Sequence, residues 1–321
     1  MKETTGFLKT RDDHHIYTVA WENESTEPKA ILQLAHGMAE HVMRYKEFAE
    51  YLVENGIYVV GNDHRGHGRT AEKNGTFGYF ADDNGFEHIV DDLHEVNAFI
   101  RSQYHGVPII LFGHSMGSFI VRRYIQRYHD RLEGVILSGT GDFSPFMGTI
   151  GKFLATRVGK NKGWKKTSPL LDKLSFGQFN TQFSPTKTPF DWLSRDESSV
   201  QQYIEDEYCG KISTTSMFVD LIEGLRLIHK EGEVKNIPRD VPFLFISGEK
   251  DPVGRQTKGV QKVIDQMQRY SEYDIVSYFY SEGRHEMLNE VNRKDVFEDI
   301  VNWINQLLAN TVTVNKSSLL K

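Results

Sequence analysis

The chain has 321 residues, 39% hydrophobic and 26% charged, with a formal net charge of −6. At about 150 residues per domain this allows two domains, or one large α/β domain with an insertion; the acidic balance leaves no electrostatic footprint for nucleic acid and no basic bias towards anionic lipid. No stretch approaches the roughly 18 apolar residues of a membrane-spanning helix, Met1–Gly6 lacks the apolar run of a secretory leader, and the single cysteine, Cys209, cannot close an internal disulfide, so the expected location is the cytoplasm.

Gly6–Lys9 and His15–Trp21 read as short strands flanking Thr10-Arg11-Asp12-Asp13, an antiparallel hairpin added to a sheet edge. Ala30–Ala35 is a compact apolar run, and Val42, Tyr45, Phe48, Ala49 and Leu52 then recur at helical spacing. Ile57–Val60 reads as a buried strand, and Phe86, Ile89, Val90, Leu93, Val96 and Ile100 as one face of a helix. Pro108–Phe112 is a strand with proline at its tolerated first position, followed by a helix over Met116–Tyr128 and a strand over Gly134–Leu137. Such alternation implies a mostly parallel sheet with helices on both faces. It stops from about Gly139 to Asn236, a block rich in Gly, Lys, Phe and Ser that reads as an insertion over the sheet. It resumes with a strand at Val241–Ile246, a helix near Thr257–Arg269, a strand at Asp274–Tyr280 and a helix near Arg293–Leu308. The expected division is a core of 1–138 and 237–310, a lid of 139–236, and a tail of 311–321 without a helical stripe.

Gly113-His114-Ser115-Met116-Gly117 is G-x-S-x-G between a buried strand and a helix. A turn this tight lifts the serine hydroxyl out of the sheet and leaves the next backbone N–H at a helix N-terminus, where partial positive charge receives an oxyanion. The same string also suits an ordinary N-cap serine. A serine nucleophile needs a base and an orienting acid, which in this fold follow in the order acid, then histidine. Asp251, in Gly248-Glu249-Lys250-Asp251-Pro252, follows one strand, with Glu249 as its nearby rival; His285, in Gly283-Arg284-His285-Glu286, follows the next. Each of Ser115, Asp251 and His285 thus sits just past a separate strand, the edge where α/β sheets place ligands. The loop His36-Gly37-Met38 follows the first parallel strand, so the oxyanion donors are expected to be the backbone N–H groups of Met38 and Met116. Asp63-His64-Arg65-Gly66-His67-Gly68 invites a metal, but its histidines share no fixed face, and a hydrogen-bonded turn is the expectation; no metal or other cofactor is called for.

In the insertion, Phe143, Phe146, Met147, Ile150, Phe153 and Leu154 fall at helical spacing, a face that either lines an acyl pocket or packs on the core. Phe143, Phe146 and Met147 are the candidate substrate contacts. Lys160, Lys162, Lys165 and Lys166 form a basic cluster, either a solvated loop or a point of transient membrane contact.

The strings H-G-M-A-E-H-V-M-R-Y, G-N-D-H-R-G-H-G, G-H-S-M-G-S, G-E-K-D-P-V-G and G-R-H-E-M-L-N-E resemble the monoacylglycerol lipase and lysophospholipase group of α/β-hydrolases, often grouped with the S33 serine aminopeptidases. The resemblance spans about residues 3 to 308 and departs at Arg69-Thr70, where the group usually has a serine. It implies an eight-stranded α/β-hydrolase core with a lid and a Ser115–Asp251–His285 triad. The expected activity is hydrolysis of small-molecule single-chain acyl esters, monoacylglycerol or lysophospholipid, through an acyl-serine. An aryl or cinnamoyl esterase and an acyltransferase share the triad. A peptidase needs acid for a substrate amine, which Asp196, Glu197, Glu205, Asp206 and Glu207 offer. A haloalkane dehalogenase needs Asp where Ser115 stands, and a non-catalytic binding protein has no need of the trio.

Overall fold

The computed structural model describes residues 1–318, with side chains to Asn310. Its centre is one sheet made of β1 Lys2–Lys9, β2 His15–Glu22, β3 Ala30–Ala35, β4 Ile57–Asn62, β5 Ile109–His114, β6 Gly134–Ser138, β7 Phe243–Gly248 and β8 Ile275–Tyr280. The eight strands lie in the order β1-β2-β4-β3-β5-β6-β7-β8. Pairing is antiparallel where β1 meets β2 and β2 meets β4, and parallel from there on. The N-terminal hairpin is therefore the sheet edge that its sequence suggested. The helices are α1 Lys46–Glu54, α2 Gly68–Asn74, α3 Gly85–Gln103, α4 Met116–Arg127, α5 Pro145–Lys162, α6 Pro169–Phe176, α7 Glu197–Glu205, α8 Thr215–Ile228, α9 Glu231–Val234, α10 Lys258–Gln268 and α11 Arg293–Ser318. The expected tail, 311–321, falls on the last turns of α11 and, from 319, outside the described residues.

The strands β3 to β7 are buried along their whole length, which is why they read as unbroken apolar runs. Alternate side chains feed two cores. Leu111, Val135 and Phe245 pack with the apolar faces of α3, α4 and α10. Ile110, Phe112 and Leu244 pack on the other side with α1 and α11. The register sets Ala35 opposite both Asn62 and Gly113, and His114 opposite Ser138, so the C-terminal ends of β3 to β6 open on one edge.

Helix α2 has no apolar stripe and was not foreseen. Its first turn forms because the Asp63 carboxylate accepts the Arg69 N–H at 2.8 Å. Thr70, at the departure from the family pattern, accepts the Tyr17 N–H at 2.8 Å and donates to the Asp63 carbonyl at 2.8 Å. The segment between β6 and β7 holds α5 to α9. It is seated on the core by α8, whose Gly224 is so close to Phe86 of α3 that a Cβ there would overlap the ring.

Phe112 is fully buried on the strand that leads into Ser115, with ring centroids 5.8 Å from Phe48 and 6.3 Å from Tyr45. Replacing Phe112 by Ala is expected to cost about 3–5 kcal/mol, read as a lower urea midpoint with an unchanged m-value.

Candidate active site

Ser115 takes φ 51° and ψ −118°, a conformation that L-residues avoid, between the end of β5 and the start of α4. Such strain costs of the order of 1–3 kcal/mol and persists only when its surroundings enforce it. Here the Ser115 N–H donates to the Ser138 carbonyl at 2.9 Å, and the Ser115 carbonyl accepts the Ser118 N–H at 2.9 Å and the Ser118 hydroxyl at 2.6 Å. The flanking glycines are steric necessities. A Cβ on Gly113 would lie 2.5 Å from the Gly117 carbonyl oxygen, and one on Gly117 would overlap the carbonyl oxygen of Ala35. Ser115 remains partly open to solvent.

Past β7 the chain turns tightly. Glu249 and Lys250 donate their N–H groups to the carbonyls of Tyr280 and Gly283, at 3.0 and 2.9 Å, and both side chains stay at the surface. Asp251 turns inward and is fully buried. Its Oδ1 accepts the Val253 N–H at 2.8 Å and lies 3.0 Å from His285 Nδ1. Of the two acids weighed from the sequence, it is Asp251 that faces the histidine. Its Oδ2 is buried without a hydrogen-bond partner among the described residues. With Nδ1–H given to Asp251, the tautomer leaves His285 Nε2 as the basic atom.

The His285 ring is wedged between His114, at 4.8 Å between centroids, and Trp192 of the insertion, at 5.0 Å. Gly139 provides the remaining room, since a Cβ there would lie 2.9 Å from His285 Cε1. The backbone N–H groups of His285 and Glu286 donate to the carbonyls of Trp192 and Leu193, at 3.3 and 2.8 Å. Burial pulls the His285 pKa down, but the charge and hydrogen bond of Asp251, with Glu286 and Glu40 beyond, outweigh it and hold the pKa above its ordinary value. The neighbouring His114 has no such hydrogen-bonded carboxylate, and burial takes it down to about 4.

The loop after β3 closes against this elbow: a Cβ on Gly37 would lie 3.3 Å from Ser115 Cβ. Neither the Met38 nor the Met116 N–H has an acceptor among the described residues. His36 shapes the loop as a neutral ring, donating from Nδ1 to the Gly37 carbonyl at 2.7 Å and accepting the His64 N–H on Nε2 at 2.9 Å. Behind the loop lies a buried cluster of Glu40, Arg44, Tyr45 and Glu286 that was not singled out from the sequence, although the H-G-x-x-E-H-x-x-R-Y string contains three of its members.

The remaining candidates fall elsewhere. Asp63 accepts the N–H groups of Val42 and Arg69 at 2.8 Å each, so it pins a turn; burial still pushes its carboxyl up to about 6. His41, Asp206 and Cys209 bring potential metal-ligand atoms within 4.8 Å of one another. However, His41 Nε2 and Asp206 Oδ2 are engaged with each other at 2.8 Å, and burial drives the Cys209 thiol well up, so the trio reads as a contact between loop and insertion. Phe143 precedes α5, its ring packed under Gly148 and 6.0 Å from His229, whereas Phe146 and Met147 are 72% and 62% exposed.

The strand order, the edge hairpin and the positive-φ serine between β5 and α4 define an α/β-hydrolase. The chain belongs to the hydrolase family described as serine aminopeptidase, S33, which matches residues 26–292. It is 27% identical over 286 residues to the monoacylglycerol lipase of Mycolicibacterium smegmatis, covering 87% of this chain and 89% of that one. It is 26% identical over 313 residues to the monoglyceride lipase of Homo sapiens, covering 96% and 92%. Its fold superposes on a thermostable carboxyl esterase from Bacillus coagulans with a TM-score of 0.88 and 25% identity, over 96% of this chain and 99% of that one.

Because the folded-state pKa of His285 is raised, its contribution to stability is full below the unfolded value of about 6.5 and is lost as pH rises through the folded value. Asp251→Asn removes the principal cause, so the His285 ring resonance is expected to titrate at lower pH in the variant than in the wild type when followed by NMR.

Proposed function

We propose that this chain is a serine esterase that releases the acid from single-chain acyl esters, monoacylglycerol or lysophospholipid, through an acyl-Ser115 intermediate. The Asp251–His285 pair, buried and 3.0 Å apart, with the imidazole 4.8 Å from the ring of His114, the residue before a serine held at positive φ, carries the proposal. His285 Nε2 takes the proton as Ser115 Oγ attacks the ester carbonyl. Asp251 keeps the ring in the required tautomer and balances the imidazolium. The negative oxygen of the tetrahedral intermediate is received by the N–H groups of Met38 and Met116. Collapse expels the alcohol, protonated by His285, and a water activated by the same nitrogen frees the acid and restores the serine. Ester, water and the chain's own groups balance the reaction.

The family name also raises a peptidase. Four of the five acids it would use are engaged elsewhere: Asp196 caps α7 and accepts from Arg293 at 2.8 Å, Glu197 pairs with Lys187, Glu205 accepts from Gln201 at 2.7 Å, and Asp206 pairs with His41, which leaves the exposed Glu207. Ester hydrolysis is therefore favoured. A cytoplasmic location is part of the proposal, supported by a fold whose one cysteine, Cys209, is free and buried.

Ser115→Ala is expected to lower fatty-acid release from monoacylglycerol and lysophosphatidylcholine by at least about 10³-fold, and Asp251→Asn to lower kcat by about 10⁴-fold. A panel that adds a cinnamoyl ester and an aminoacyl amide checks the substrate class; Ser115-dependent turnover of the amide alone would reassign the chain as a peptidase.

The insertion carries the lipid side of the proposal. Helix α5 exposes Phe146, Met147, Ile150, Phe153 and Leu154, and α6 exposes Leu170 and Leu174. Arg157, Lys160 and Lys162 lie on the same α5 beside these exposed apolar residues, a combination suited to transient contact with an anionic lipid surface, while Lys152 is paired with Glu223. Leu174, 60% exposed, supplies the test. Leu174→Asp is expected to weaken co-sedimentation with anionic phospholipid vesicles while hydrolysis of a dispersed short-chain ester is retained.

A further inference from the structure

Three charged side chains are almost fully buried next to the proposed site without belonging to the triad. Glu40 and Glu286 are 3% and 6% exposed, and the Arg44 side chain is 10% exposed. Buried charges are costly to keep, so their partners identify their role. Arg44 reaches both acids at once. It donates to Glu40 Oε2 at 2.7 Å and, through two nitrogens, to Glu286 Oε1 and Oε2 at 2.7 Å each. This is the two-pronged carboxylate grip that only a guanidinium makes.

The other contacts run straight to the reacting groups. Glu40 Oε1 accepts the Gly37 N–H at 2.6 Å and the Tyr45 hydroxyl at 2.8 Å. Gly37 immediately precedes Met38, whose N–H is a proposed oxyanion donor. Glu286 follows His285, the proposed base, and is steadied from outside by Asn289 at 2.9 Å. The guanidinium itself is sandwiched, lying 4.8 Å from the centroid of the Tyr203 ring. A chain of contacts thus runs from the Gly37 N–H, one peptide before that of Met38, through Glu40, Arg44 and Glu286 to the residue next to His285. Electrostatically, Glu286 and Glu40 both favour the charged imidazolium.

We propose that Arg44 and Glu286, neither of which touches substrate, are positioning residues that lock the oxyanion loop and the histidine base into one register. The proposal rests on the triad mechanism given above. Geometry and charge separate cleanly. Arg44→Lys keeps the positive charge and loses the two-pronged grip. Glu286→Gln keeps the shape and loses the negative charge.

The experiment measures kcat, KM and the pH profile of kcat/KM on a soluble monoacylglycerol for both variants, beside wild type and Ser115→Ala, with melting temperatures recorded. Arg44→Lys is expected to lose roughly ten- to a hundredfold in kcat, with KM little changed and the acid limb in place. Glu286→Gln, which replaces one of the two oxygens held by Arg44 with an amide NH2, is expected to lower kcat likewise, with KM little changed. If Glu286→Gln does not fold, Tyr45→Phe, which removes one hydroxyl from Glu40, replaces it and is expected to lower kcat at constant KM. A wild-type kcat in Arg44→Lys, Glu286→Gln or Tyr45→Phe overturns the proposal while an inactive Ser115→Ala leaves the triad standing. An active Ser115→Ala sinks the triad itself and this proposal with it.

Discussion

The site depends on one close approach of backbone to backbone. Helix α4 starts so near the end of β3 that only a hydrogen fits between Gly117 and the Ala35 carbonyl. The same turn carries Ser115 at positive φ and lies against the loop after β3, where a Cβ on Gly37 would come within 3.3 Å of Ser115 Cβ. A side chain at position 117 would separate the two strands' ends and dismantle the arrangement without touching a single polar group. The strain at Ser115 is thus held in place by packing, and the packing is set by the parallel pairing of β3 with β5, Ala35 opposite Gly113.

Electrostatics then distinguishes one histidine from its neighbours. His36, His64, His67 and His114 are all buried close by and all are pushed down, the last three to about 3, 4 and 4. They serve as neutral hydrogen-bonding rings. His285 is as deeply buried yet shifts the other way. The difference is a carboxylate at hydrogen-bond distance, Asp251, with two further acids behind it. A buried imidazole is ordinarily a poor place for a proton; here the neighbouring carboxylates make one ring the exception, as the proposed base requires.

Most of this architecture was legible in the sequence because it obeys local rules. The strands buried on both faces are unbroken apolar runs, and the helices that cover them show a 3.6-residue stripe. Ser115, Asp251 and His285 were legible because each follows a strand, and the parallel sheet aligns strand ends. Two things were not legible. Helix α2 carries no stripe and owes its start to Asp63, a residue outside it. The Glu40–Arg44–Glu286 cluster joins positions 242 residues apart, from Arg44 to Glu286, and no spacing rule reaches that far. Its only signal was the acidic Glu40 and the basic Arg44, four residues apart in the segment His36–Tyr45. The insertion was the hardest part to read, since an apolar helical face looks the same in sequence whether it packs inward or, as α5 does, faces out.

The two backbone hydrogen bonds from His285 and Glu286 to Trp192 and Leu193 divide the insertion into unequal parts. The Trp192 segment is stitched to His285: any outward swing of it would break both bonds and remove the ring that lies tilted 5.0 Å from the imidazole. Helices α5 and α6 carry no such stitch to the base. A substrate that enters by displacing α5 and α6 leaves the proton-transfer geometry intact, whereas one that displaced the Trp192 segment would switch off the base as it entered. On the proposed mechanism, access past α5 and α6 and proton transfer at His285 would thus depend on different stretches of the same insertion.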